Sequence, residues 1–178
     1  MKKIASLLIV SFLLVGTIQA ETEQTPIKKK TKTAKIEKTI KKLFIYTDSH
    51  QWDKLKKIFA DKVLLDYSSF TGKPAAKLSP DQIIANWSGF LPKFKHTHHQ
   101  LGNILAKRKN DVGELFCYGT ASHYLPNKSG NHVWTVVGTY KFHLKRIQKK
   151  WKVTQMVFNF KYQQGNLELP KLAQKAAG

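Results

Sequence analysis

The sequence predicts one α+β domain, in which a cone-shaped, strongly curved antiparallel sheet wraps against three N-terminal helices. Two observations lead to this prediction. Two helical patterns, one strand pattern and a third helical pattern fill the first half, and a run of three or four strand patterns fills the second half. Helices and strands segregated in this way are typical of α+β folds, whereas a parallel sheet would need alternating strands and helices.

The first twenty residues have the pattern of a secretory signal peptide. Lys2 and Lys3 precede an apolar run over residues 4–15, and Gly16 and Ala20 supply the small residues of a cleavage site. The apolar run is shorter than the about 20 residues that a membrane-spanning helix needs. We therefore expect an exported protein, periplasmic or secreted after cleavage following Ala20.

The remaining 158 residues are enough for one domain with its own core. Residues 21–33 are polar and basic, which predicts a flexible lead-in. The domain is expected over 34–165, and 166–178 are expected to form a tail that frays. Cys117 is the only cysteine, so packing without an internal disulfide must hold the fold together.

The chain has a formal net charge of +20, and removal of the signal peptide leaves +18. A field of this size attracts polyanions such as nucleic acid, anionic lipid headgroups or lipopolysaccharide. The lysines are spread along the chain, however, and no nucleic-acid-binding motif accompanies them. Generic surface charge and an anionic component of the cell envelope both remain open, and no specific nucleic acid is expected.

Three helices are indicated by the spacing of apolar residues. The first begins near Ala34 and the second near Trp52, and Asp48 lies in the turn between them. The third begins with Ser79 as N-cap and Pro80 at the first helical position. Their predicted buried faces consist of Ile36, Ile40, Leu43, Phe44 and Thr47 in the first, Trp52, Leu55, Ile58 and Phe59 in the second, and Ile83, Ile84, Trp87 and Phe90 in the third.

A strand is predicted over residues 62–70, and four more are predicted near 97–107, 113–125, 131–146 and 151–162. Since side chains alternate across a strand, parity assigns each residue to a face. On one face of the last two strands this places Trp134, Val136, Tyr140, Phe142, Met156 and Phe158.

Small residues follow one another on a face of the strand 113–125. Cys117, Gly119 and Ala121 share this face, and His123 stands at its end. Small residues beside a polar group on a concave face are typical of a ligand pocket. The alternative is that Gly119 and Ala121 accept a packed helix, and parity does not decide between the two.

Three histidines stand close together at the start of the second predicted strand. His96 and His98 share one face and His99 the other, so His99 points inward if the first two are solvated. Two histidines on one face do not complete a metal site, which needs three or four ligands, so we expect neither metal nor cofactor. An Asp–His pair would make an imidazole basic, and Asp48 is the candidate partner for His99.

Several segments resemble the SnoaL-like superfamily, which shares the cone fold of nuclear transport factor 2, and especially the pattern of the scytalone dehydratases. These segments are YTDSHQWDKLKKIFADKVLLDYSSF over 46–70, THHQLGN over 97–103, ASHYLP over 121–126 and WKV over 151–153. The resemblance extends over about residues 34–165 and implies a small-molecule pocket inside the cone.

The resemblance implies that Asp48, His99 and Tyr67 are catalytic. The chain also departs from the dehydratase pattern. Thr47 stands where that pattern has a second tyrosine, with Tyr46 one residue earlier, Leu125 and Tyr140 replace a histidine and an asparagine, and His123 could substitute for the histidine. Tyr46, His123, Trp134, Tyr140, Met156 and Phe158 are the predicted substrate-binding residues.

Two functions remain open on these observations. In the first, the protein is a lyase or isomerase in which His99, oriented by Asp48, moves a proton next to a carbonyl, and Tyr67 hydrogen-bonds the developing oxyanion. In the second, it is a non-catalytic ligand-binding or envelope accessory module with a basic surface. The expected partner is a small-molecule ligand in the cone, with an anionic envelope component and a homo-oligomer as further candidates.

Overall fold

The computed structural model describes residues 32–175, which contain five α-helices and six strands. The predicted signal peptide and the lead-in up to residue 31 lie outside the described residues. The helices are α1 (Ala34–Asp48), α2 (Trp52–Lys56), α3 (Ser68–Thr71), α4 (Pro80–Ser88) and α5 (Leu169–Lys175), and a 3₁₀ turn spans Leu91–Lys93. The strands are β1 (Phe59–Asp66), β2 (Ala76–Leu78), β3 (His96–Lys109), β4 (Val112–Tyr124), β5 (Val133–Ile147) and β6 (Lys150–Gly165).

The six strands form one curved, unclosed sheet in the order β2-β1-β6-β5-β4-β3. The α+β cone predicted from the sequence is therefore confirmed, with one difference. The sheet is mixed, because β1 pairs with β6 in parallel while the other neighbours are antiparallel. Because β1 and β6 are the first and last long strands, no turn residues connect them directly. The sequence near either strand therefore does not indicate whether they pair in parallel or antiparallel.

Register shifts in the long strands produce the curvature of the sheet. β3 has one extra residue between Gly102 and Leu105, and β6 has one opposite Val137/Gly138 and another opposite His143/Leu144 of β5. An extra residue in one strand bends that strand and increases its local twist. The bends turn one face of β3–β6 into a concave wall, and the helices cover it.

Helix α1 lies across the concave face and buries the side that its periodicity predicts. Ile36, Ile40 and Leu43 are fully buried, and Phe44 and Thr47 are nearly so. These residues pack against the inward side chains of β4, β5 and β6, with Phe142, Leu144 and Val153 among the most buried. The core thereby fixes where the last turn of α1 meets the sheet.

Helix α4 begins as the sequence predicts. The Ser79 hydroxyl accepts a hydrogen bond from the Gln82 backbone, the Gln82 side chain accepts one from the Ser79 backbone, and Pro80 occupies the first helical position. This reciprocal capping box satisfies two backbone donors that would otherwise have no partner at the helix start. Ile83 is fully buried, which anchors α4 against the rest of the domain.

Three predicted boundaries are wrong. The strand expected over 62–70 lies over Phe59–Asp66 as β1, and Ser68–Thr71 form α3. The second helix ends at Lys56, and Phe59 begins β1 rather than closing the helix. The tail does not fray over 169–175, because α5 forms there and buries Leu169 and Ala173 completely. These two residues are four apart on one helical face, and this short pattern is easily missed beside a proline. No helix within 32–175 is long and apolar enough to cross a membrane.

Candidate active site

A cavity of about 160 Å³ lies between the concave face of the sheet and the helices. Its wall is mostly aromatic and aliphatic, and His99, His123, Tyr67, Tyr140 and Thr47 supply the polar groups. None of the fourteen lining residues is a lysine, arginine, aspartate or glutamate. The remaining members of the lining are Phe44, Phe70, Trp87, Phe90, Leu91, Ala121, Trp134, Val136 and Phe158.

Asp48 and His99 form a close pair at the edge of this cavity. Asp48 is the last residue of α1, and its Oδ1 lies 2.6 Å from Nδ1 of His99 in β3. The backbone N–H of His99 donates to Oδ2 at 2.8 Å, and the Thr97 hydroxyl donates to Oδ1 at 3.0 Å. Three donors thus hold the carboxylate in one orientation.

The pair fixes which nitrogen of His99 can act as a base. Burial alone would raise the pKa of Asp48, but the hydrogen bonds and charge of His99, with the Thr97 hydroxyl, hold that pKa below its ordinary value of 3.8. Asp48 is therefore ionised near neutral pH and accepts the proton on Nδ1. Nε2 of the neutral imidazole then keeps its lone pair, which is the state that a general base requires.

Two further contacts set the position of the pair. The Phe44 ring stacks on the His99 imidazole, with centroids 5.1 Å apart and an angle of 29° between the planes. After α1 ends at Asp48 the backbone turns at His50, which has a φ of 51°, and the backbone N–H groups of His50 and Gln51 donate to carbonyl oxygens of the last helical turn. Packing therefore limits rotation of the imidazole, and the turn holds Asp48 toward β3.

His123 lies deeper in the cavity and remains neutral. Its ring is 4.5 Å from the Trp134 ring and 6.2 Å from the His99 ring, measured between centroids. Nδ1 is 3.4 Å from the Trp134 carbonyl oxygen, which can only accept a hydrogen bond. Burial, followed by the charge of His99, lowers the pKa of His123 from 6.5 to about 4.

Two phenols supply hydroxyl groups inside the cavity. The Tyr67 hydroxyl has a weak contact with the Met156 sulfur at 3.9 Å. Among residues 32–175, no hydrogen-bond partner is found for the Tyr140 hydroxyl. Burial raises the pKa of Tyr67 above its ordinary value of 10, and burial followed by the nearby Tyr67 raises that of Tyr140. Both phenols therefore stay protonated and can donate to a ligand oxygen.

The profile of the SnoaL-like domain matches residues 30–157, which is more than two thirds of the chain. The chain belongs to the SnoaL-like domain family. Among curated proteins, none matches it in sequence.

Solved structures related to this SnoaL-like chain share its fold. Kfla4162 of Kribbella flavida is 23% identical, with a TM-score of 0.72, over 79% of this chain and 95% of that chain. A candidate scytalone dehydratase of Novosphingobium aromaticivorans is 15% identical, with a TM-score of 0.64, over 73% and 84%. The hexachlorocyclohexane dehydrochlorinase LinA-type3 of Novosphingobium barchaimii is 17% identical, with a TM-score of 0.63, over 75% and 89%.

Most of the residues selected from the sequence meet in the SnoaL-like cavity. Its lining includes Tyr67, His99, His123, Trp134, Tyr140 and Phe158, and Asp48 stands directly behind His99. His96 and His98 are exposed, as strand parity predicts for the face opposite His99.

Two predicted substrate-binding residues do not line the cavity. Tyr46 lies on another side of α1, where the amino groups of Lys42 and Lys54 approach its ring at 6.0 and 5.9 Å. One residue along a helix rotates the side chain by about 100°, so Thr47 faces the cavity in its place. Met156 is fully buried and contacts the cavity residue Tyr67 rather than the cavity itself.

The pocket interpretation of the small residues of β4 holds for Ala121, whereas Gly119 accommodates a side chain that neither interpretation named. A Cβ atom at Gly119 would lie 2.2 Å from Cε2 of Tyr140, so the space above this glycine is filled by the Tyr140 ring. Neither a packed helix nor the cavity occupies it. Ala121, two residues further along β4, does line the cavity.

Seven lining residues were not expected at the cavity from the sequence. Phe44 could have been found, because it precedes Asp48 by four residues on the same face of α1. Trp87, Phe90 and Leu91 come from α4 and the turn after it, and only the tertiary fold brings them over the sheet. The others are Thr47, Phe70 and Val136. Within residues 32–175, no group of three or more His, Cys, Asp or Glu side chains is placed to hold a metal ion.

Proposed function

We propose that this protein is an exported lyase or isomerase that removes a proton from a carbon next to a carbonyl group. The observation that carries the proposal is the Asp48–His99 pair, with Nδ1 and Oδ1 2.6 Å apart at the edge of the cavity. Two of the related structures, those of a candidate dehydratase and a dehydrochlorinase, bear names of elimination enzymes, which supports a reaction of this class.

The reaction begins with the transfer of a substrate C–H proton to Nε2 of His99. The electrons of that bond move into the carbonyl group and form an enolate, while Asp48 stabilises the imidazolium. Tyr67 or Tyr140 donates a hydrogen bond to the enolate oxygen. In a lyase the electrons then expel a group from the next carbon, and in an isomerase the imidazolium returns the proton to another carbon.

The cavity favours a compact, uncharged substrate. Its volume of about 160 Å³ corresponds to roughly ten water-sized positions, which suits one or two rings. The lining lacks fixed charges, and His123 is neutral because its pKa is about 4. A charged substrate would lose its hydration here without gaining an opposite charge, which costs several kcal/mol.

A panel of cyclic ketones in D₂O tests the proposal without knowledge of the natural substrate. Proton NMR follows the exchange of the hydrogens beside the carbonyl for deuterium. We expect exchange to be catalysed by the wild type and lost in His99→Gln, since general-base catalysis contributes about 10²–10⁴-fold. His98→Gln is the matched control, because His98 is the adjacent residue of β3 and is exposed.

The alternative function, a binding module without catalysis, makes a different prediction in the same experiment. Ketones would bind in the cavity, as shown by quenching of the fluorescence of Trp134, but their hydrogens would not exchange faster than in buffer. Exchange that persists unchanged in His99→Gln would likewise contradict the assignment of His99 as the base.

A further inference from the structure

A second concave site lies outside the sheet cavity, between α1 and the β5–β6 hairpin. It is a groove of about 260 Å³ with the buried residues Ile58 and Trp151 at its base. Six exposed lysines form its walls, and we call it the lysine groove: Lys35, Lys38, Lys42, Lys57, Lys149 and Lys150.

Three different parts of the chain bring these lysines together. Lys35, Lys38 and Lys42 are spaced by three and four residues, so they form one row along α1. Lys57 directly follows α2. Lys149 and Lys150 stand at the tip of the hairpin between β5 and β6. Because the opposing walls come from segments that are distant in sequence, the groove is a product of the fold rather than of a local run of lysines.

The lysines of the groove have no ion-pair partners in the part of the chain that the structure describes. The carboxylate of Glu37 in α1 accepts a hydrogen bond from the Thr33 hydroxyl and forms no ion pair with the six lysines. Lys152, next to the groove, donates to the Lys57 carbonyl oxygen.

The backbone at the hairpin tip is also unusual. Gln148 and Lys149 form a two-residue turn with φ values of 48° and 63°. Turns of this type favour asparagine and glycine, because a Cβ atom crowds the backbone at positive φ, and glycine has none while asparagine tolerates the conformation. The chain instead has a lysine at a position where glycine would be less strained, and that lysine faces the groove.

We propose that the lysine groove binds a ligand that carries two or more closely spaced phosphate groups. Phosphate oxygens accept hydrogen bonds from ammonium groups, and six lysines exceed the charge of one carboxylate or one phosphate. Walls on two sides allow ammonium groups to approach neighbouring phosphates from opposite directions. Binding would relieve the repulsion among the lysines, which no ion pair within residues 32–175 offsets.

Calorimetric titration with pyrophosphate tests this proposal on the full mature chain. The decisive variant is Lys38→Glu/Lys150→Glu, which reverses one charge on each wall. The control is Lys73→Glu/Lys128→Glu, which changes the net charge equally at exposed positions outside the groove. We expect the groove variant to weaken binding at least about tenfold and the control less than about threefold at about 50 mM salt, where charge interactions remain strong.

Lys149→Gly separates binding from folding. Because glycine tolerates a φ of 63°, this variant should melt no lower than the wild type and still bind pyrophosphate more weakly. Equal losses of pyrophosphate affinity in the groove and control variants would overturn the proposal. So would a wild type that binds neither pyrophosphate nor the anionic vesicles described next.

Vesicles with and without cardiolipin, a lipid whose headgroup carries two phosphate groups, distinguish the source of the phosphates. Flotation with anionic vesicles that is lost only in the groove variant would assign the site to lipid headgroups. Pyrophosphate binding without flotation would assign it to a free phosphorylated ligand. Flotation that is lost equally in both variants would show a general charge effect and would contradict the site.

Discussion

At the scale of single residues, Asp48 is the group on which the catalytic proposal depends. Its two carboxylate oxygens accept hydrogen bonds from three donors of β3, and one of these donors is the imidazole that it orients. A carboxylate that only capped a helix end or closed a turn would not need to reach another element. The contact therefore links the last turn of α1 to the chemistry of the cavity.

The tautomer of His99 is the first testable consequence. With Asp48 ionised, neutral His99 should carry its proton on Nδ1, and nitrogen NMR of labelled protein distinguishes the two ring nitrogens. Asp48→Asn replaces an acceptor by a group that can also donate, so the Nδ1–H form should lose its preference. A His99 spectrum that is identical in both proteins would mean that Asp48 does not orient the imidazole.

His123 gives a prediction for stability against pH. Its folded pKa is about 4, whereas the unfolded chain takes up this proton near 6.5. Between these values the unfolded state binds more protons, so this residue lowers stability as the pH falls. The full loss of unfolding free energy, reached below about pH 4, is about 3 kcal/mol. Above about pH 7 His123 is expected to have no effect on stability.

Urea unfolding at about pH 7 and about pH 4.5 measures this effect. His123→Gln should lose about 2 kcal/mol less than the wild type between the two values, because it has no imidazole to protonate. The exposed His98→Gln provides the control and should follow the wild type. Equal losses in all three proteins would show that His123 is not buried in its neutral form.

At the scale of elements, the walls of the cavity and the core are made by the same strands. Phe158 of β6 lines the cavity and is 3% exposed, whereas Phe142 of β5 is 1% exposed and packs on all sides. Phe142→Ala should cost about 3–5 kcal/mol of unfolding free energy. Phe158→Ala should cost less, since part of its surface already faces empty space.

Chemical denaturation of the two variants tests this difference. If Phe158→Ala had no effect, the register of β6 against β5 would be wrong by one residue, which would turn the side chain to the other face. If it cost more than Phe142→Ala, Phe158 would belong to the close-packed core and the cavity would be smaller than described.

Local patterns predicted the longer helices and strands but not the short elements α3, β2 and α5, and contacts between distant elements were harder to predict. The buried face of α1, the cap at Ser79 and the inward direction of His99 all follow from periodicity or capping within a few residues. The parallel pairing of β1 with β6 joins strands that are far apart in sequence. The space above Gly119 of β4 is filled by a side chain of another strand, Tyr140 of β5. Such information is absent from local spacing.

At the scale of the whole molecule, the positive charges of lysine and arginine are kept away from the cavity. The full chain has a formal charge of +20, yet the cavity is lined without lysine or arginine. This separation allows a neutral substrate to be bound inside while the outside attracts anions.

Export remains a prediction for the whole protein. Mass spectrometry of the protein from its natural cell envelope or medium should find a mature chain that begins at Glu21, because residues 1–20 have the pattern of a signal peptide. A full-length chain that keeps Met1 and is recovered with the inner membrane would contradict cleavage.

The most direct test of the central claim is a double-mutant cycle on the rate of ketone hydrogen exchange. If Asp48 acts through His99, Asp48→Asn should slow exchange by at least about a hundredfold, His99→Gln should slow it at least as much, and the double variant should be no slower than His99→Gln alone. Losses that multiply in the double variant would show that the two residues act independently. An Asp48→Asn rate equal to that of the wild type would contradict the catalytic pair.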